Sequence, residues 1–121
     1  MSSKLAHSDD GKPALCGYLM KQGAKGPIRG WKKRWFTIAK GSQFIEYFRY
    51  PKDTDPLGRI DVLSVSVAEP CPNNLGLRKD RGEFAFQYKT PGRTYFLQAN
   101  GENIVNYWIN GIRDIRAQLS P

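Results

Sequence analysis

From residue 14 onward, apolar and polar positions alternate in short runs, the period-two pattern of half-buried strands. The runs occupy residues 15–22, 34–40, 43–49, 58–62, 64–68, 83–89 and 93–99. Turn-forming stretches separate them: "GAKGPIRG", "KGS", "YPKDTDPLG", "EPCPNNLG" and "TPGR". After residue 100 the period changes. Ile104, Trp108, Ile112, Ile115 and Leu119 fall at steps of three and four, which predicts an amphipathic helix, with Asn100 placed to cap its start. Gly111 lies inside that helix at a cost of about 1 kcal/mol against Ala, so amphipathicity rather than propensity carries the assignment. The pattern predicts a mainly β protein with one α-helix. Seven antiparallel strands form a partly open barrel or sandwich, and the C-terminal helix caps it with Trp108 plugging the open end.

Alternation also assigns side chains to faces. In "GYLMKQ", Leu19 and Lys21 share a face, and in "KRWFTI" so do Arg34, Phe36 and Ile38. If the apolar members point into the core, Lys21 and Arg34 point the same way at the strand ends beside the loop. Cations cannot be buried unpaired, so the two must line an open mouth beneath residues 23–31. Lys32, two residues before Arg34, joins that face. Lys33 has the opposite parity and is expected to look outward.

The charge distribution makes this mouth the centre of interest. The chain of 121 residues carries a net charge of +8, and residues 20–36, "MKQGAKGPIRGWKKRWF", hold six Lys/Arg and no acid, which is +6 of it. Such a concentrated patch calls for an anionic partner. Arg34 offers a planar fork for phosphate, Lys21 a compact point charge, and Gly23, Gly26 and Gly30 a backbone able to approach anionic oxygens closely. At the loop tip, Pro27 and Ile28 lie between Lys25 and Arg29. An aliphatic group ringed by cations matches a membrane interface, with Lys33 as a further contact.

Other function classes find little support. The one histidine, His7, is in the polar stretch 1–13, which reads as a disordered leader with no apolar segment of a secretory signal. No nucleophile–base spacing, P-loop or metal-ligand cluster appears, so neither an enzyme nor a cofactor or metal is expected. Cys16 and Cys71 are too few for a disulfide framework, which points to a reducing, cytoplasmic setting. No apolar run reaches the roughly 18 residues of a membrane span, so any membrane contact is peripheral. The stretch "RGEFAFQY" approaches the aromatic strand of an RNA-recognition domain, yet Phe84, Phe86 and Tyr88 alternate as core residues do. The second helix of that architecture is also missing, so nucleic acid is not the expected partner.

These residues together resemble a pleckstrin homology (PH) domain over nearly all of residues 14–119. "GYLMKQG", "WKKRWFTI", "EYFRYPKDTDPLGRIDV" and the helix bearing Trp108 occur in the family's order. Lys21-x-Gly23 followed by Lys32-x-Arg34-x-Phe36-x-Ile38 is similar to the subset that binds 3-phosphorylated phosphoinositides. The resemblance implies that Lys21 and Arg34 hold the 3- and neighbouring phosphates, that Tyr47 donates its hydroxyl to a phosphate, and that Lys32 reinforces the pocket. It also implies contacts from residues near Arg59 and from later loops, around Lys79 and Arg81. Glu46 departs from the family's frequent second tyrosine, and its parity should turn it outward. The loop "GAKGPIRGW" is similar to PH domains found ahead of Rab-GTPase-activating (TBC) domains, and "WKKRWF" with "DPLGRI" to those of cytohesin-type Arf exchange factors. The implied role is recruitment of a parent protein to the cytosolic face of a membrane through PtdIns(3,4,5)P3 or PtdIns(3,4)P2. The fold also hosts modules that bind a small GTPase or a peptide in the groove between a strand and the helix, so that alternative stands beside it.

Overall fold

A computed structural model describes residues 11–23, 30–70 and 84–120. Among the described residues there are seven strands: β1 Leu15–Gln22, β2 Trp31–Ile38, β3 Phe44–Phe48, β4 Gly58–Asp61, β5 Val67–Pro70, β6 Phe84–Thr90 and β7 Arg93–Ala99. An α-helix, α1, follows at Glu102–Leu119. The strands form a single antiparallel sheet in the order β4-β3-β2-β1-β7-β6-β5, so the predicted architecture is the observed one.

The halves of the sheet meet where Met20 and Lys21 of β1 pair with Gln98 and Leu97 of β7. Between them lies a core of Leu15, Leu19, Phe36, Ile38, Ile45, Ile60, Phe86, Tyr88 and Leu97, with Val105, Trp108, Ile109 and Ile112 added by α1. Trp108 is 1 % exposed and meets Phe36 edge-on at 6.2 Å, the plug that the helical stripe predicted. Tyr88 donates its hydroxyl to the Trp108 carbonyl at 2.8 Å, and burial pushes its pKa well above the usual tyrosine range. Gly111 is accounted for by close packing: a Cβ there would come within 2.8 Å of a Leu15 methyl.

Three of the boundaries that differ from expectation have a clear structural cause. β2 starts at Trp31 rather than 34, because Gln22↔Trp31, Lys21↔Lys32 and Met20↔Lys33 continue the ladder through the charged run. Residues 64–66 are not strand. Asp61 accepts the Leu63 N–H at 3.0 Å through its carboxylate and the Ser64 hydroxyl at 2.9 Å through its carbonyl, which winds Val62–Ser64 into a 3-10 turn. The helix cap is Gly101, not Asn100, and no side chain bonds to it; the Gly101 carbonyl accepts the N–H groups of Ile104 and Val105.

Candidate functional site

Register carries the cations to one place. Arg34 sits opposite Leu19, and Lys32 opposite Lys21, so all three share the face of Leu19 and Phe36 at the hairpin end of β1 and β2. Tyr47 of β3 lies opposite Phe36, and the two rings stack at 5.2 Å. The Lys21 ammonium lies 4.9 Å from the centre of the Tyr47 ring, a cation–π contact. Lys21, Tyr47, Phe36 and Trp108 thus form a column running from the mouth into the core.

The electrostatics of this mouth are unfavourable in the free protein. Burial of the ammonium, followed by the like charges of Arg93 and Arg34, lowers the Lys21 pKa to about 8 from an ordinary 10.5. Burial likewise raises the pKa of Tyr47, against the opposing charge and hydrogen bond of Arg93 and the charge of Arg34. Lys21, Arg34 and Arg93 therefore repel one another around a buried phenol. An anion placed among them removes that repulsion and supplies acceptors for a guanidinium pair, an ammonium and a phenolic hydroxyl.

Arg93 was not among the residues singled out from the sequence. It opens β7 directly after the Pro91–Gly92 turn, which the Thr90 hydroxyl closes by donating to the Arg93 carbonyl at 2.7 Å. Its guanidinium packs 4.3 Å from the centre of the Tyr95 ring and hydrogen-bonds Tyr47. The signal was available, since Arg93, Tyr95 and Leu97 share parity and Leu97 is apolar.

Arg59 is not brought to this mouth. It pairs in register with Glu46, on the face opposite Tyr47 and Ile45, and binds the Glu46 carboxylate at 3.2 Å while packing 4.7 Å from the centre of the Phe44 ring. The parity that turns Glu46 outward takes Arg59 with it, so the free protein does not bring Arg59 together with Lys21, Arg34 and Tyr47. Lys33 does look outward, where its ammonium sits 4.4 Å from the centre of the Tyr18 ring. Lys25, Pro27, Ile28 and Arg29, with Lys79 and Arg81, lie outside the described residues.

Gly58 holds the pocket's shape from β4. It pairs with Tyr47, and a Cβ at this position would overlap the Tyr47 phenol. The Leu57 N–H also donates to the Tyr47 carbonyl at 2.8 Å, tying the β3–β4 turn to the same residue. The glycine of "DPLGRI" thus lets the tyrosine ring lie flat across the neighbouring strand.

An antiparallel sheet closed by a C-terminal helix, with cations gathered at a hairpin end, defines a small β-sheet-and-helix binding module. A family model of the PH domain matches residues 13–117, and the chain belongs to that family. PH domains are non-catalytic modules that bind lipids or proteins. Among curated proteins, TBC1 domain family member 2A of Bos taurus is 41 % identical over 101 residues, covering 84 % of this chain, and TBC1 domain family member 2B of Homo sapiens is 30 % identical over 102 residues, also covering 84 %. The chain spans only about a tenth of either relative, 10 % and 11 % respectively. The solved PH domain of human TBC1 domain family member 2 superposes with a TM-score of 0.73 at 37 % identity, covering 93 % of this chain and 89 % of that one. The C-terminal PH domain of pleckstrin, solved in complex with D-myo-Ins(1,2,3,5,6)P5, gives a TM-score of 0.70 at 25 % identity and covers 87 % of this chain and 96 % of that one. Among the described residues, no helix is long and apolar enough to cross a membrane.

Proposed function

We propose that this domain binds the polyphosphorylated headgroup of a phosphoinositide and so recruits its parent protein to a cytosolic membrane surface. The observation that carries the reading is the convergence of Lys21, Arg34 and Arg93 on Tyr47, a mouth where like charges meet and where an anion would relieve their repulsion. Lys32, exposed at the rim, adds reach. In this reading Arg34 clamps one phosphate with two parallel bonds and Lys21 meets a neighbouring one as a point charge. The Tyr47 hydroxyl, already accepting from Arg93, turns its own proton toward the ligand. The spacing Lys21-x-Gly23 with Lys32-x-Arg34 favours 3-phosphorylated lipids, PtdIns(3,4,5)P3 or PtdIns(3,4)P2. An inositol polyphosphate bound to a pleckstrin PH domain of similar fold lends support.

Sedimentation with vesicles of phosphatidylcholine containing one phosphoinositide at a time tests the proposal. The domain is expected to pellet with a 3-phosphorylated lipid, and Arg34→Ala to lose about 1.5–3 kcal/mol for each charge-assisted bond removed. Binding by Arg34→Ala equal to that of the parent would rule out the mouth as the headgroup site.

A further inference from the structure

The N-terminal half of β1 has a partner on one side only. β2 pairs with it along its whole length, whereas β7 joins only at Met20 and Lys21. Cys16, Gly17 and Tyr18 therefore run beside α1 across a groove of about 410 Å³. We propose that this groove is a second binding site, taking an extended, uncharged polypeptide segment that pairs main chain to main chain with Cys16–Tyr18.

Three observations select that occupant. The first is hydrogen bonding. The Cys16 N–H points away from β2 and donates at 3.2 Å to the Tyr107 hydroxyl, a side chain standing where a strand carbonyl would be. Donors and acceptors along a strand edge are matched best by another strand, whose main chain repeats at the same spacing. The second is charge. In a chain of net charge +8, the groove is lined by Cys16, Gly17, Tyr18, Trp108, Tyr107 and Ile104 with Asn100 and Asn103, and by no ionisable Lys, Arg, Asp or Glu. The lining itself offers no salt-bridge partner, the Lys33 ammonium being engaged over the Tyr18 ring at the rim, while the two amides suit peptide groups. The third is the rim, where Tyr18 and Tyr107 are each 42 % exposed, large amphipathic side chains of the kind that anchor peptides at low entropic cost.

The corresponding groove between β5 and α1 makes the contrast. There Arg113 donates to the outward carbonyl of Ala68 at 2.6 Å, so the helix already occupies the edge of that strand. On the β1 side only a tyrosine hydroxyl intervenes, and it can swing aside. The groove lies toward the start of β1 and the basic mouth toward its end. Five residues at about 3.3 Å each put some 17 Å between Cys16 and Lys21, so both sites can be filled at once.

Nuclear magnetic resonance on the whole chain tests this, with the blocked peptide acetyl-Thr-Val-Thr-Leu-Thr-Pro-amide as probe. Saturable shifts at Cys16, Gly17, Tyr18, Asn103 and Tyr107 are expected. The same peptide N-methylated at Val and Leu should lose affinity by about tenfold or more, since it keeps the side chains and lacks the donors. Asn103→Asp, an exposed helix position that leaves the core untouched, should weaken an acidic version of the probe further while sparing inositol polyphosphate binding. Equal shifts from the N-methylated peptide would overturn the proposal, as would no shifts at millimolar probe. Concentration-dependent shifts at the same residues without any peptide would assign the groove to a second copy of the chain and overturn it too.

Discussion

At the scale of single residues, Lys21 is the side chain under most tension between fold and function. Its folded-state pKa of about 8 lies below the ordinary 10.5, so folding disfavours its charged form. Between those values the unfolded chain holds a proton that the folded one has released, and stability therefore rises with pH across about 8 to 10.5. Below 8 the full cost is present. Lys21→Met keeps the methylene packing over Tyr47 and removes the charge, so it should raise the melting temperature at pH 7 in differential scanning fluorimetry while abolishing headgroup binding. A lowered melting temperature would mean that the ammonium stabilises the free fold. Ligand binding has the opposite sign. A bound phosphate raises the Lys21 pKa, so its contribution to affinity is complete below about 8 and fades as pH climbs through the raised value. Titration calorimetry with a soluble inositol polyphosphate at pH 7 and pH 9.5 should show weaker binding at the higher pH and proton uptake on binding between them.

At the scale of elements, β3 and β4 hold the tyrosine that the cations surround. Gly58→Ala places a methyl where the Tyr47 phenol lies, and the ring must move off β4 toward Lys21 and Arg93. The variant is expected to fold, because the hairpin ladder Phe44↔Asp61, Ile45↔Ile60 and Glu46↔Arg59 is untouched. It should lose headgroup affinity by about tenfold, the effect of one misplaced polar contact of about 1.4 kcal/mol. Calorimetry checks the affinity, and unchanged binding would show that the ring can relocate freely. Gly111 serves α1 in a similar way: it brings the helix down onto Leu15, so a residue that weakens the helix by propensity strengthens its seat on the sheet. The two glycines have the same cause, close approach of a side chain from a neighbouring element.

At the scale of the molecule, the two proposed sites divide along β1. Its end beside the β1–β2 loop carries the cations, and its start carries the neutral groove. The loop tip, with Ile28 between Lys25 and Arg29, extends the basic end toward a bilayer in the proposed reading. Ile28→Glu should weaken binding to phosphoinositide vesicles and leave affinity for the soluble inositol polyphosphate unchanged. Equal losses in both assays would assign Ile28 to the pocket or the fold. The strand–helix order, the inward parity of Lys21 and Arg34 and the plug at Trp108 were all legible in the amino-acid order, because each depends on local periodicity and on the cost of burying charge. The start of β2 was not, since a run of cations reads as loop until its pairing with β1 is known. The positions of Arg93 and Arg59 were not legible for a related reason. Which arginine reaches Tyr47 depends on the β1–β7 junction and the β3–β4 register, contacts between residues far apart in the chain. Local pattern thus determined which faces are apolar and which cations must find an opening, and only the tertiary structure decided which of them share it. A strand knows its two faces from its own sequence, but it learns its neighbours only through pairing that the whole sheet sets.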